Sequence, residues 1–340
     1  MPSLQRISRP ARTRTPVPAA ARSRPEQRLI RRGLCARPFL ACLVLGLAGC
    51  ASSGARNVPA DPDRDIRPIE DLVAATKKPE SIGKFLADLN QSIRAWNNLF
   101  LNATNDAERS RGRLIETHLM TVTHQRRDEI QRELESGPLN NRIVAAAALG
   151  FTHDVEAQSP LIAALDDPHE EVVANALFGL WVLGRTDTPV DRVCPFLSSS
   201  HGDGVRTHAS LLLSALTRDG SSEPCVLSAA RIGLVDERPE VRVHSALILA
   251  NLKDTQSVQA LIDRLHDGEA IVVSAAARTL EYLSTQDPHQ KGSVARALVK
   301  AWIVADEPQK SMLLRTLVKT AQRNYGSDEK EWARWADRLP

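Results

Sequence analysis

The chain has 340 residues and a formal net charge of +3; charged residues make up 25% of it and aromatic residues only 4%. The positive sign comes from the first 50 residues, which hold ten arginines and one acidic residue. Residues 51–340 carry 34 basic and 40 acidic side chains, a net charge of −6. A nucleic-acid-binding surface needs an excess of Lys and Arg to face the phosphates. The composition therefore argues against such a function, and the length allows either two domains or one extended repeat array.

The first predicted element is an apolar segment within residues 38–49, preceded by the Arg-rich stretch. It holds about ten to twelve apolar residues, too few to cross a bilayer of roughly 30 Å at 1.5 Å per helical residue. Basic residues before it and small residues after it are typical of a secretory signal peptide. The sequence therefore predicts export.

The end of this segment, Leu47-Ala48-Gly49-Cys50, resembles the lipobox of bacterial lipoproteins at all four positions. The resemblance implies that residues 1–49 are a lipoprotein signal peptide and that Cys50 is the lipid attachment site, carrying diacylglycerol on its thiol and an acyl group such as palmitate on its new amino terminus. Several acyl chains hold a protein firmly at a membrane. The expected location is the bacterial cell envelope, facing the periplasm. Lipoproteins that stay at the inner membrane often have Asp directly after the lipid-bearing cysteine. This chain has Ala51 at that position, so the outer membrane is favoured.

The stretch before the apolar segment is longer than in typical lipoproteins, about 37 residues. Two explanations of this length stay open from the sequence: a translation start further downstream, or a degenerate twin-arginine signal at Arg31-Arg32-Gly33-Leu34. Residues 50–67 are rich in Ser, Gly, Asn, Pro and Asp, which predicts a flexible tether between the lipid and the folded part.

Residues 68–136 are predicted to form an N-terminal helical segment. Its first helix has apolar residues at three- and four-residue spacings, from Ile82 to Trp96, which indicates one buried face. A second helix is expected from about Asp106 to Glu135, ended by a left-handed Gly137 and by Pro138. Its charged residues between 126 and 133 alternate in sign, which is typical of a solvated helix face.

A motif then recurs five times, with starts at 141, 172, 205, 241 and 272. Counted from each start, the fifth residue is small and the ninth is leucine, and both positions fall on one face of a helix. The small residues are Ala145, Ala176, Ala209, Ser245 and Ala276, and the leucines are Leu149, Leu180, Leu213, Leu249 and Leu280. Each interval of 31–36 residues has room for a second helix, which predicts stacked helical hairpins. Pro195 interrupts one of these second helices.

The repeats resemble short HEAT-like repeats of about 30 residues, most closely at Val205-Arg206-Thr207-His208-Ala209 and at 241–245. Repeats 2 and 5 depart from the pattern because they lack Arg at the second position. The resemblance covers about half of the chain and implies an all-α fold, a right-handed α-solenoid of HEAT-like helical hairpins over 137–307. Residues 308–340 are expected to add a sixth, weaker hairpin and a capping helix that contains Trp332 and Trp335.

Candidate chemistry is sparse. His208 and His244 share the fourth repeat position, but neighbouring helices lie about 8–10 Å apart and no third ligand is evident, so polar packing is favoured over a metal. Cys194 and Cys225 lie in consecutive second helices. One alignment of those helices places them side by side and another places them a turn apart, so a disulfide stays open from the sequence alone.

No phosphate-binding loop, nucleophile elbow, zinc-binding motif or CxxC motif is found in the sequence. The prediction is therefore a protein with no catalytic residues, no cofactor and no metal. The leading hypothesis is a lipid-anchored protein-interaction scaffold that presents its second-helix surface to an envelope or periplasmic protein. The alternative is a HEAT-like enzyme or a lyase-type ligand-handling protein with dispersed active-site residues.

Overall fold

The computed structural model describes residues 80–218 and 223–340. The signal peptide, the lipobox, Cys50 and the tether, together with residues 68–79 of the N-terminal segment, lie outside the described residues. Within those residues the secondary structure is helical, and no strand occurs. The α-helices are α1 Ile82–Asn102, α2 Asp106–Gln125, α3 Arg127–Ser136, α4 Leu139–Gly150, α5 Gln158–Ala163, α6 Glu170–Leu183, α7 Asp203–Leu216, α8 Pro224–Gly233, α9 Pro239–Asn251, α10 Val258–Asp263, α11 Ala270–Gln286, α12 Lys291–Val304, α13 Glu307–Ala321 and α14 Glu329–Asp337.

The helices form the two layers of an α-solenoid, as predicted. The first layer contains the repeat motifs in α4, α6, α7, α9 and α11, followed by α13, and each of these helices packs against the next. The second layer consists of α5, the 3₁₀ segment of residues 190–197, α8, α10 and α12. The last helix, α14, packs against α12. All ten small and leucine side chains of the motif are buried, because they face the neighbouring repeats and the second layer. The periodicity therefore predicted the core correctly.

The helices α4 and α6 of the first layer cross in direct backbone contact. A Cβ atom added to Gly179 would lie 2.3 Å from the carbonyl oxygen of Ala146, and one added to Gly150 would lie 2.4 Å from that of Gly179. The backbones touch here because neither glycine has a side chain to separate them. The alanines of α4 therefore serve packing, as their repeat position predicts.

The N-terminal segment differs from its prediction in two details. The helix expected over 106–135 is divided at Arg126, whose φ of −117° leaves helical geometry and separates α2 from α3. Gly137 follows α3 with a φ of −75° and is therefore not a left-handed cap. The break turns α3 back so that Ile130 and Leu134 are buried beside α4. As a result, α1 and α3 lie beside α4 where the two helices of a preceding repeat would lie.

The C-terminal residues close the other end of the array. Asp328 caps α14 by accepting hydrogen bonds from the backbone N–H groups of Lys330 and Glu331. Trp332 is fully buried and donates from its indole nitrogen to the carbonyl of Gly326 at 2.9 Å. Its ring contacts Trp302 of α12 and also Trp335. This arrangement agrees with the predicted capping helix that contains Trp332 and Trp335.

Repeat 2 has no α-helix in its second layer. Residues Val190–Arg192 and Cys194–Leu197 form two short 3₁₀ turns instead. Pro195 lies inside the second turn and cannot donate the hydrogen bond that an α-helix would need at this position. The interruption predicted from Pro195 is therefore present.

Candidate functional site on the second layer

Exposed aliphatic side chains are concentrated on the second layer of the repeats. We define the second-layer surface as the exposed side chains of residues 155–166, 190–198, 223–235, 255–266 and 288–304. Its large exposed apolar residues are Val155, Ile232, Val235, Ile303 and Val304. Val235 is 70% exposed and Val304 is 71% exposed. In the described part of the first layer, from α4 onward, Tyr282 alone is a large exposed apolar residue.

This imbalance has a physical meaning. Burying an aliphatic side chain contributes about 1.5–3 kcal/mol, so an exposed one leaves that free energy available to a partner. Single exposed apolar residues are common on proteins, but here five lie in the same layer of repeats 1, 3 and 5. Three further exposed apolar residues, Leu101, Leu114 and Met120, lie on α1 and α2. The second-layer surface is thus the best candidate for contact with another molecule.

Three of the turns that lead from a second layer to the next first layer contain an aspartate that is bound by an arginine. The guanidinium of Arg206 donates to the carbonyl of His201 in the turn before its helix, at 2.5 Å, and to both carboxylate oxygens of Asp236 in the turn after it, at 2.8 and 3.2 Å. Arg142 binds Gly137 and Asp167 in the same way. We call such an arrangement an Arg–Asp clip.

A third clip is formed by Arg242, which donates to the carbonyl of Asp236 at 2.7 Å and to the carboxylate of Asp267 at 2.7 Å. Each clip aspartate also accepts a hydrogen bond from the backbone N–H two residues further on. Hydrogen bonding to Asp236 raises the pKa of Arg206. Burial would raise the pKa of Asp167, but hydrogen bonds from Arg142 and from the backbone of His169 keep it below its usual value. The clip charges are therefore engaged within the fold, which gives them a structural role.

The two repeat histidines bind neighbouring helices and do not form a site together. Nδ1 of His208 donates to the carbonyl of Ala174 in the preceding repeat at 2.8 Å. Nδ1 of His244 lies 2.9 Å from Oγ of Ser210, whose own hydroxyl donates to the carbonyl of Thr207. Burial lowers the pKa of both rings, and for His244 burial and the charge of His208 lower it to about 4. Both side chains are therefore neutral polar packing groups at pH 7.

The structure joins the two candidate cysteines. Cys194 in the 3₁₀ segment of repeat 2 and Cys225 at the start of α8 form a disulfide with their Cα atoms 6.0 Å apart. This separation lies within the usual range for a disulfide. Of the two alignments considered from the sequence, the structure has the one in which the cysteines are adjacent.

A polar cleft of about 480 Å³ lies at the break between α2 and α3, where the sequence predicts a solvated charged face. Its lining includes Arg126, Arg127 and Asp154. Arg127 donates to Asp154 at 2.6 Å, and Arg126 donates to Glu129 at 2.6 Å. Each of these guanidinium groups is thus neutralised by a carboxylate, and the cleft walls pair with one another.

Two further findings concern metal binding and membrane crossing. In residues 80–218 and 223–340, no cluster of three or more His, Cys, Asp or Glu side chains is arranged to hold a metal ion. None of the described helices combines the length and the apolar character that a bilayer span requires.

Comparison with known proteins supports the fold. No protein-family model matches the chain, and no curated protein is significantly similar to it in sequence. The crystal structure of Kap121p is similar over 74% of this chain, with a TM-score of 0.51 and 13% identity, and this chain spans 30% of the length of Kap121p. The phycocyanin lyase complex of CpcE and CpcF from Nostoc sp. PCC7120 has a TM-score of 0.39 and 22% identity, covering 62% of this chain and 93% of that one.

An engineered protein has a TM-score of 0.40 and 15% identity, covering 68% of this chain and 98% of that chain. Because Kap121p is only 13% identical to this chain, its similarity concerns the fold alone. The chain is a helical repeat protein, which agrees with the HEAT-like character of its repeats.

Proposed function

We propose that this protein is a non-enzymatic interaction scaffold whose second-layer surface binds a protein of the bacterial cell envelope. The observation that supports the proposal is the set of five exposed aliphatic side chains on that layer. Solenoids expose long continuous surfaces, and exposed apolar side chains on such a surface gain free energy when a protein partner buries them.

The test uses matched surface variants. Val235→Asp and Val304→Asp place a charge on two of the most exposed aliphatic residues, while Tyr282→Asp changes the exposed aromatic residue of the first layer. Envelope proteins crosslinked to the wild-type protein are identified by mass spectrometry, and their capture by each variant is then quantified. The proposal expects each second-layer variant to lose about tenfold or more in capture, and the first-layer variant to bind normally. The proposal is contradicted if all three variants lose capture equally, or if none of them loses it. Circular dichroism verifies that each variant is folded.

The envelope location is a separate part of the proposal. Export and lipid attachment at Cys50 are supported by the Arg-rich stretch, the apolar segment and the lipobox resemblance. Radiolabelled palmitate is expected to label the wild-type protein but not Cys50→Ser, and globomycin is expected to block cleavage before Cys50. Labelling that persists in Cys50→Ser rejects this attachment site, and fractionation of inner and outer membranes tests the preference drawn from Ala51.

A further inference from the structure

The second layer of repeat 2 has an irregular backbone where it meets repeat 3. Repeat 2 contributes the two 3₁₀ turns of residues 190–197, where repeat 3 has the ten-residue helix α8 and repeat 5 has the fourteen-residue helix α12. Short 3₁₀ turns have poorer hydrogen-bond geometry than an α-helix. Residues 190–197 therefore have weaker internal hydrogen bonds than an α-helix in this place would have, and they are held by their packing against α8 and by the disulfide.

Repeat 2 has no clip arginine of its own, although Arg206 of repeat 3 reaches the carbonyl of His201 in the turn between the two repeats. Repeat 2 has Val173 at the position of the clip arginine. In its place, the carboxylate of Glu170 accepts hydrogen bonds from the backbone N–H of Gly202 at 3.1 and 3.2 Å. The side chain of Glu170 is 51% exposed, whereas those of Arg206 and Asp236 are 7% and 8% exposed. An exposed carboxylate–amide contact is weaker than a buried bidentate pair.

The first layer is continuous across this junction. His208 of α7 binds the carbonyl of Ala174 in α6, and the centroid of its ring lies 5.4 Å from that of Phe178. A Cβ atom added to Gly204 would lie 3.7 Å from the Cβ atom of Ala174, so the start of α7 also lies against α6. The helices α6 and α7 can therefore act as a pivot when the second layer moves.

The disulfide crosses this junction in the second layer. It links the 3₁₀ segment of repeat 2 covalently to α8 of repeat 3, against which that segment also packs. We propose that the Cys194–Cys225 disulfide is a redox-controlled lock. When it is intact it holds the second layers of repeats 2 and 3 together, and when it is reduced the junction opens on the α6–α7 pivot.

The redox step is a thiol–disulfide exchange. One thiolate of a dithiol reductant attacks a sulfur of the bridge and forms a mixed disulfide, and the second thiolate of the reductant then displaces the protein sulfur. The protein gains two electrons and two protons as the thiols of Cys194 and Cys225, and the reductant becomes a disulfide. A disulfide oxidant reverses the step. Because the lock joins two segments that carry part of the second-layer surface, its effect on binding rests on the proposed function, whereas the opening itself does not.

The test measures amide hydrogen exchange in the full-length oxidised protein with and without dithiothreitol. We expect reduction to speed exchange about tenfold or more in residues 190–197 and in α8, since a disulfide that closes a loop of this size restricts local opening. Peptides from α6, α7 and α9 are expected to exchange as before. The variant Cys194→Ser/Cys225→Ser should show the fast pattern without reductant and no response to it, which separates this bridge from the other three cysteines.

Two outcomes overturn the lock. Unchanged exchange in 190–197 and α8 after complete reduction, verified by mass, shows that the bridge does not restrain the junction. Faster exchange throughout α6, α7 and α9 shows global unfolding and no pivot. Both readouts are independent of any partner, so a failed capture experiment would leave them unaffected. If the double variant does not fold, reduction of the wild-type protein alone decides between these results.

Discussion

The ends and the interior of this solenoid are held together by different side chains. The chain has five Trp, two Tyr and six Phe, and nine of these thirteen residues lie in two end clusters. The N-terminal aromatic cluster joins α1 to repeats 1 and 2, and the C-terminal aromatic cluster joins α14 to α12. Their members are Trp96, Phe100, Phe151, Phe178 and Trp181 at one end and Trp302, Tyr325, Trp332 and Trp335 at the other.

The interior junctions use alanine, glycine and leucine in the core and Arg–Asp clips at the turns. An interior repeat has a neighbour on each side, so small residues let similar helices approach closely. An end repeat has only one repeat neighbour, and its other face must be covered by a non-repeating helix. Large rings fill the irregular space between unlike helices, and each can bury about 150–250 Å². This contrast leads us to expect different sensitivities at the ends and in the interior.

The largest effect is expected at an end, from Trp96→Ala. Trp96 is 2% exposed, and its ring contacts Phe100 and Phe151 with centroids 5.1 Å apart in each case. Its removal leaves a cavity and should lower the free energy of unfolding by about 4 kcal/mol. Urea denaturation measures this loss, with the half-buried Trp335→Ala as the control. If Trp96→Ala costs less than the control, the N-terminal cluster is not what holds α1 on the array.

The next largest effect is expected in the interior, from Arg206→Ala. The change leaves the buried Asp236 carboxylate without its bidentate partner, which should cost about 3 kcal/mol. The control is Arg185→Ala, because the Arg185–Asp187 pair is 34% and 59% exposed and should contribute less than about 1 kcal/mol. Equal losses for the two variants in urea denaturation would show that the clip is no stronger than a surface ion pair.

A smaller loss, about 2 kcal/mol, is expected for Gly179→Ala because the added methyl group must separate α4 from α6. Gly83→Ala in α1 is the matched control, since an added Cβ there meets nothing within 4 Å. That control should be neutral or stabilising by up to about 1 kcal/mol. Thermal unfolding of the two variants tests this reasoning. If both variants have the same melting temperature, the close crossing of α4 and α6 does not limit the residue at position 179.

The smallest expected effect is the response of the interior to acid. The pKa of His244 is lowered from 6.5 to about 4 in the folded protein, so the unfolded chain binds more protons between these values. The neutral ring of His244 makes its full contribution to the free energy of unfolding above pH 6.5. This contribution is lost as the pH falls towards 4. We expect about 1–2 kcal/mol, because the ring keeps some contact with solvent.

Urea denaturation at several pH values measures this slope, and His244→Gln should flatten it between the two pKa values. The fourth position of repeat 5 is Ala275, so no third ring continues the pair formed by His208 and His244. An unchanged slope in His244→Gln would assign the acid response to other groups.

The sequence was sufficient for the repeated part of the fold because every repeat has a similar local environment. A small residue followed four positions later by leucine defines the buried face of each first-layer helix, and both residues are buried in all five repeats. Pro195 likewise predicted the irregular segment of repeat 2, since proline cannot occupy the interior of a helix without a lost hydrogen bond. These features depend on local rules that a single sequence displays.

Other features depended on which distant residues meet. The break at Arg126 follows from the packing of α3 beside α4, and the chain around it contains no proline or glycine to signal it. The closeness of Gly179 to Ala146, the bidentate contact of Arg206 with Asp236 and the alignment that joins Cys194 to Cys225 were likewise set by tertiary structure. Helical periodicity determines which face of a helix is buried, but the register between two helices is decided only when their side chains pack together.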